Sequence, residues 1–228
     1  MYDIVFISYQ EPNAEDNWQQ LKTRFPFAKR VHGVKGIHQA HIVAAEKCFT
    51  KMIWIVDGDA EILDSFNFDY SPSDTDYVYV WRSKNPVNDL EYGNGGVKLL
   101  PRQKTINMDL SKPDMTTSIS TKFKPILEIS NITVFNTDPF NTWKSAFREC
   151  CKLSSKVIDR QKSEETNERL SAWCSKGHDR PYGEYAINGA RMGMIYGREN
   201  KDDVGALKMI NDFEWLKNKF EENYGKEY

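Results

Sequence analysis

Two aspartates one residue apart, Asp57 and Asp59, flank Gly58 and follow the apolar run Met52-Ile53-Trp54-Ile55-Val56. This is the part of the chain best suited to chemistry. A hard divalent cation takes oxygen ligands and keeps substrate phosphates and waters for the rest of its shell. Carboxylates in this spacing suit such an ion, manganese or magnesium, and Gly58 is expected to let the backbone turn so that both face it. The ion's use is electrostatic: breaking a sugar-phosphate bond leaves negative charge on a departing diphosphate, and a preorganised cation offsets that charge in the transition state. An Asp-x-Asp alone is short and common, so its weight comes from the strand before it.

That strand belongs to a pattern. Tyr2-Asp3-Ile4-Val5-Phe6-Ile7-Ser8 reads as a first buried strand, because β-branched and aromatic residues run together without helical spacing. A short helix follows, with acids in its first turn and Trp18, Leu21 and Phe25 on one face. Val31–Val34 reads as a second strand and residues 37–50 as a helix presenting Ile37, Ala40, Ala44, Ala45 and Cys48. Strands alternating with helices predict an α/β fold with a mixed, mostly parallel central sheet, Rossmann-like, flanked by helices. Tyr77–Trp81 is a further strand, 85–101 a loop with embedded turns, and 126–129 and 132–135 two short strands around Ser130-Asn131. Beyond Pro139 the pattern is helical to about residue 170 and again over 203–224, giving a helical C-terminal part.

Composition narrows the class. A chain of 228 residues with 39% hydrophobic and 13% aromatic residues has too much apolar material to be a solvated tail. It carries no apolar run long enough to span a bilayer and no secretory pattern at its start, so a cytoplasmic protein with no membrane partner is expected. Cys48, Cys150, Cys151 and Cys174 form no Cys-x-x-Cys pair and read as reduced, small apolar residues. The net charge is −2, yet the sign alternates: residues 1–97 are acidic, 98–162 basic and 163–228 acidic. The middle stretch is where a polyanion is expected to bind.

Ile55-Val56-Asp57-Gly58-Asp59 resembles the DxD element of GT-A glycosyltransferases, and Ile4-Val5-Phe6-Ile7-Ser8-Tyr9 resembles the first strand and base-binding loop of that fold. The resemblance implies a single GT-A domain over 1–228, with a nucleotide-sugar-binding half at 1–97 and an acceptor half at 98–228. It implies that Ser8, Tyr9 and Glu11 cradle the base and ribose, that Asp57 and Gly58 border the donor, and that Lys35 approaches the phosphates from a segment, Lys35 to Ala40, that closes over the nucleotide. The run Tyr92-Gly93-Asn94-Gly95-Gly96-Val97-Lys98-Leu99 reads, by its turn chemistry, as a hairpin turn. Together with the Asp-Gly-Asp and a His178-Asp179…Tyr182-Gly183-Glu184-Tyr185-Ala186-Ile187-Asn188-Gly189 segment, it is similar to the phage members of the TET/JBP-associated glycosyltransferases. Those enzymes add sugars to hydroxymethylated pyrimidines in DNA. On that likeness Tyr92, Asn94, Gly95, Gly96 and Lys98 border the donor sugar and acceptor, and His178 completes the metal shell.

An inverting reaction needs a base to take the acceptor proton, for which Asp179 and Glu184 are the candidates. Lys144, Arg148, Lys152, Lys156 and Arg160 recur every fourth residue on a predicted helix, as a stripe for DNA phosphates or as an ordinary solvated face balanced by Glu149 and Asp159. Tyr92 and Trp81 are candidates to stack on an extruded base, against their reading as core. The leading expectation is transfer of glucose from UDP-glucose to 5-hydroxymethylcytosine in double-stranded DNA. The alternatives are a glycan, protein or small-molecule acceptor, a pentose donor such as arabinose, and a silent nucleotide-binding module.

Overall fold

The computed structural model describes residues 1–93, 96–157 and 162–225. Two compact units divide them: Met1–Asn85 with Glu91–Val134, and Pro86–Leu90 with Phe135–Tyr228.

The first unit is built on one sheet. Its strands are β1 (Asp3–Ser8), β2 (Lys29–His32), β3 (Met52–Asp57), β4 (Ala60–Ile62), β5 (Val78–Lys84), β6 (Glu91–Tyr92), β7 (Val97–Pro101) and β8 (Phe123–Thr133), and its helices α1 (Ala14–Arg24), α2 (Ile37–Glu46), α3 (Arg102–Ile106) and α4 (Met115–Ile119). The strand order is β2-β1-β3-β7-β5-β8-β4, with β6 beside β5. The first three strands are parallel, as right-handed β-α-β connections require. Alternation then splits the apolar residues between two faces. Ile4, Phe6, Trp54, Val56, Trp81 and Leu99 pack with Ala14 and Leu21 of α1, and Val5, Ile53, Ile55, Val80 and Leu100 pack with Ala44 and Ala45 of α2. The α1 face is aromatic: Trp54 meets Trp81 at 4.6 Å between ring centroids and Phe68 edge-on at 5.3 Å.

The expected α/β class and mixed sheet hold, but the sheet is not mostly parallel. Only β1–β2, β1–β3 and β5–β8 run parallel, whereas β3–β7, β5–β7, β5–β6 and β4–β8 are antiparallel. The cause is β7, a fully buried central strand within a stretch whose sequence reads as loop. Its glycine-rich approach and the charge of Lys98 hide an otherwise continuous apolar run. Among the described residues β6 and β7 each pair with β5 rather than with each other. Ser130-Asn131 does not interrupt a pair of short strands. Both are buried inside the single long β8, where the Ser130 hydroxyl donates to the Arg82 carbonyl at 3.2 Å.

The second unit is helical: α5 (Pro139–Ser155), α6 (Ser163–Trp173), α7 (Gly183–Glu199), α8 (Val204–Lys208) and α9 (Phe213–Tyr224). Asp138 starts α5 by accepting from the Asn141 amide at 2.7 Å, with Pro139 in the first position, where its missing N–H is harmless. The single helix expected to residue 170 stops instead at Ser155, where Lys156 turns left-handed (φ 57°), and α6 resumes at Ser163. The helix expected over 203–224 is likewise divided, because Asp212 caps a fresh start by accepting from the amides of Glu214 and Trp215. Along α7, Gly189, Gly193 and Gly197 face the α5 backbone at Trp143, Phe147 and Cys151, and a β-carbon on any of them would strike it. All four cysteines are free thiols, three of them buried. Among the described residues no helix is long and apolar enough to cross a membrane.

Candidate functional site

The C-terminal ends of β1 and β3 lie side by side, Ile7 in register with Asp57, so the loops that follow them share one edge of the first unit. Here the chain collects acids. Asp57 is the last residue of β3, and Asp59 follows through the turn at Gly58. The turn is pinned from three sides: the Asp57 amide donates to the Gly96 carbonyl at 2.9 Å, the buried Asn17 side chain of α1 donates to the Gly58 carbonyl at 3.0 Å, and the Val134 amide donates to the Asp59 carbonyl at 2.8 Å. Gly58 is required for space rather than for a left-handed turn. A β-carbon there would sit 2.7 Å from Glu11 Oε2 and 3.1 Å from Ser8 Cβ. The carboxylate of Glu11 is itself fixed by the Tyr9 amide at 2.7 Å.

One cation answers these acids from inside the fold. Lys98, on β7 opposite Ile55, is 3% exposed, and its ammonium donates to both oxygens of Asp57 at 2.8 Å. Among the described residues Asp59 has no such partner. Loss of solvent, with the charges of Asp57 and Glu11 beside it, pushes its carboxyl up to about 7 from an ordinary 3.8. Three acids and one lysine therefore leave surplus negative charge, which a divalent ion with oxygen preferences neutralises. Among the described residues no three His, Cys, Asp or Glu side chains converge as a cage. A hard cation shared with a diphosphate needs only one or two carboxylates from the protein.

Around this turn, Ser8 is buried, accepts from Arg30 Nε at 3.1 Å and shares a hydrogen bond with His32 Nδ1 at 3.0 Å. Tyr9 and Glu11 are half-buried in the same loop. Lys35 is exposed in the loop between β2 and α2, next to Gly36, whose φ of 92° precedes the first turn of α2. Ser8, Tyr9, Glu11, Asp57, Gly58 and Asp59 thus gather on one edge of the first unit. Gly96 joins them through its carbonyl and packs against Asn131.

Other expectations are redistributed. Lys98 does not present its charge to a sugar or acceptor, because it is buried on Asp57. Tyr92, 5% exposed, and Trp81, 0%, are core residues, and the Trp81 indole donates to Glu128 at 3.0 Å. Asn94 and Gly95 lie outside the described residues. The basic stripe does not form an exposed row: Lys144 is 7% exposed, donates to Asn141 at 2.6 Å and lies over the Phe213 ring. Arg148 donates to the Ile210 carbonyl at 2.8 Å and to Asn211. Lys152 is half-buried and Lys156 exposed, while Arg160 and its expected counter-charge Asp159 lie outside the described residues. In the second unit the His178 ring is hydrogen-bonded through Nδ1 to Glu184 at 2.6 Å, and Asp179 is exposed in the same loop.

Two features of the site escape the sequence reading. One is the pairing of Lys98, a residue expected beside the sugar or acceptor, with Asp57. His41 lies on α2, buried, four residues beyond Ile37 and three before Ala44, so it falls on the apolar stripe already drawn from that helix. Its Nδ1 lies 2.7 Å from the Ile37 carbonyl, and its buried Nε2 has no partner. Burial, followed by the charge of Lys98, lowers its pKa to about 4.

No protein-family model and no curated protein sequence matches this chain.

Proposed function

We propose that this protein is a GT-A-type glycosyltransferase that uses a nucleotide-sugar donor at the edge formed by β1 and β3. The observation that carries this reading is the pinned Asp57-Gly58-Asp59 turn, in which Asp59 is held under-compensated beside the base-binding loop candidates Ser8, Tyr9 and Glu11. Asp59 and the outer lone pairs of Asp57 would hold manganese or magnesium. When bound, the ion supplies charge stabilisation to the departing diphosphate. The chain's own residues do the positioning. The loop after β1 offers the half-buried Tyr9 and Glu11 to a base and ribose, while the Ser8 hydroxyl is spent on Arg30 and His32 beneath it, and the exposed Lys35 beside the first turn of α2 offers positive potential to phosphates.

The donor proposed is UDP-glucose and the acceptor the hydroxymethyl group of 5-hydroxymethylcytosine in double-stranded DNA. Support for that acceptor is the likeness of the glycine string and of the His178–Gly189 segment to the phage DNA-modifying enzymes. The test is incubation with UDP-glucose, manganese and hydroxymethylcytosine DNA, reading a hexose mass gain on the modified nucleoside. Asp57→Ala abolishes the gain if the reading holds, and a wild-type protein that consumes donor without any DNA product removes the acceptor assignment.

One observation favours a second reading, a glycan, protein or small-molecule acceptor. Lys144 and Arg148 are spent inside the second unit, which leaves the expected phosphate stripe incomplete. Donor turnover that is indifferent to added DNA selects this reading.

A further inference from the structure

Lys98 is paired with Asp57 inside the fold. Its ammonium covers both carboxylate oxygens, so any cation that takes Asp57 as a ligand must share the carboxylate with a buried positive charge or displace it. Like charges at one carboxylate repel strongly where solvent is excluded. A buried ammonium that moves needs another acceptor within the fold, because an unpaired buried charge is costly.

We propose that His41 is a positioning residue whose Nε2 is that second acceptor, receiving the Lys98 ammonium when a cation occupies Asp57. This rests on the reading of Asp57 and Asp59 as a cation site. The geometry of one sheet face supports it. Leu100 and Ile55 both pack towards α2, Lys98 is two residues from the first and in register with the second, and Asp57 is two residues beyond Ile55, so strand alternation sends Lys98 and Asp57 to the α2 face. His41 is 2% exposed on that helix, one turn before Ala44 and Ala45, which pack on the same face. Because Nδ1 faces a carbonyl, it carries the ring proton, and Nε2 is left as a bare lone pair, an acceptor. That lone pair is buried without a donor, which is rare in a folded protein and calls for a reason. Lys98 and Asp57 are, after burial itself, the strongest influences on the ring.

The two positions make a simple exchange. In the structure Lys98 neutralises Asp57 and His41 Nε2 is unmet. With a cation bound, Lys98 turns to Nε2 and both groups stay paired. His41 therefore sets how readily Asp57 can be vacated.

The experiment is a double-mutant cycle on the full chain, with Mn²⁺ alone as the probe and free Mn²⁺ read by electron paramagnetic resonance. His41→Phe keeps a planar ring and removes the acceptor, and is expected to weaken Mn²⁺ binding by roughly tenfold or more, as loss of groups behind a metal ligand does. His41→Gln restores an acceptor and recovers most of the affinity. In the Lys98→Met background, His41→Phe no longer changes Mn²⁺ affinity, since no ammonium needs a new partner. An equal loss in both backgrounds, or no loss in His41→Phe, overturns the exchange while leaving the cation site standing. A wild-type chain that binds no Mn²⁺ overturns the cation site itself and the exchange with it.

Discussion

The acidic edge of the first unit and the α5–α7 seam of the second solve burial in opposite ways. At the edge, charged side chains are drawn inward and balanced: Lys98 against Asp57, with Asp59 left near neutrality by its surroundings. In the seam, side chains are removed altogether, and Gly189, Gly193 and Gly197 let α7 lie on the α5 backbone. The seam gains from close packing on its three glycines, at the cost of one buried Trp143 indole nitrogen without a partner. The edge bears more such costs, since a buried lysine, an under-compensated aspartate and an orphaned histidine nitrogen all reduce stability. Local costs of this kind persist where function requires them, which is why the edge, rather than the seam, carries the proposed chemistry.

Substitutions sharpen this contrast in order of size. Asp57→Ala takes both carboxylate oxygens from the buried Lys98 ammonium and is expected to destabilise the chain by about 3 kcal/mol in chemical denaturation, with Lys98→Met in the same chain recovering most of it. An unchanged midpoint for Asp57→Ala means that Lys98 finds solvent, and the contrast collapses. Gly193→Ala pushes a β-carbon onto the Phe147 carbonyl and is expected to cost about 2–3 kcal/mol, less only if the helices separate freely. The opposite sign is expected for Asp59→Asn. The folded pKa of about 7 exceeds the unfolded 3.8, so the stability tied to this proton is complete below pH 4 and is lost as pH rises through 7. Asn, which never ionises, should gain on the order of 2 kcal/mol at pH 8 and nothing at pH 4, while ending donor turnover. A pH-independent difference between the two proteins places no proton on Asp59. The smallest effect is Lys156→Gly. Lys156 holds φ 57° at the end of α5, where glycine has no steric cost, and thermal melting should show a gain of about 0.5–1 kcal/mol.

Much of the first sixty residues is legible in sequence because each strand is a continuous apolar run and each helix a periodic one. Asp57 and Asp59 are found this way, as the polar end of the third such run. The part that stays hidden is decided by tertiary pairing. Lys98 breaks the apolar run of β7 and makes a central strand read as loop, yet its charge meets Asp57, a residue forty-one positions earlier. Ser130 and Asn131 read as a turn because their side chains favour one, and become strand interior once the Arg82 carbonyl accepts from Ser130. Lys144 and Arg148 illustrate the converse error. Their spacing describes one helix correctly, but their partners, Asn141, Phe213, Ile210 and Asn211, include residues more than sixty positions away, and no helical period reveals them.

The central claim is that the Asp57–Asp59 edge binds a nucleoside diphosphate through a divalent cation. Thermal melting with UDP, with and without manganese, tests it most directly, because a ligand bound only to the folded state raises the midpoint by mass action. The expected result is a rise with UDP and manganese together, little with either alone, and none in Asp59→Asn. Equal rises without metal, or in Asp59→Asn, or no response to any nucleotide, would contradict it.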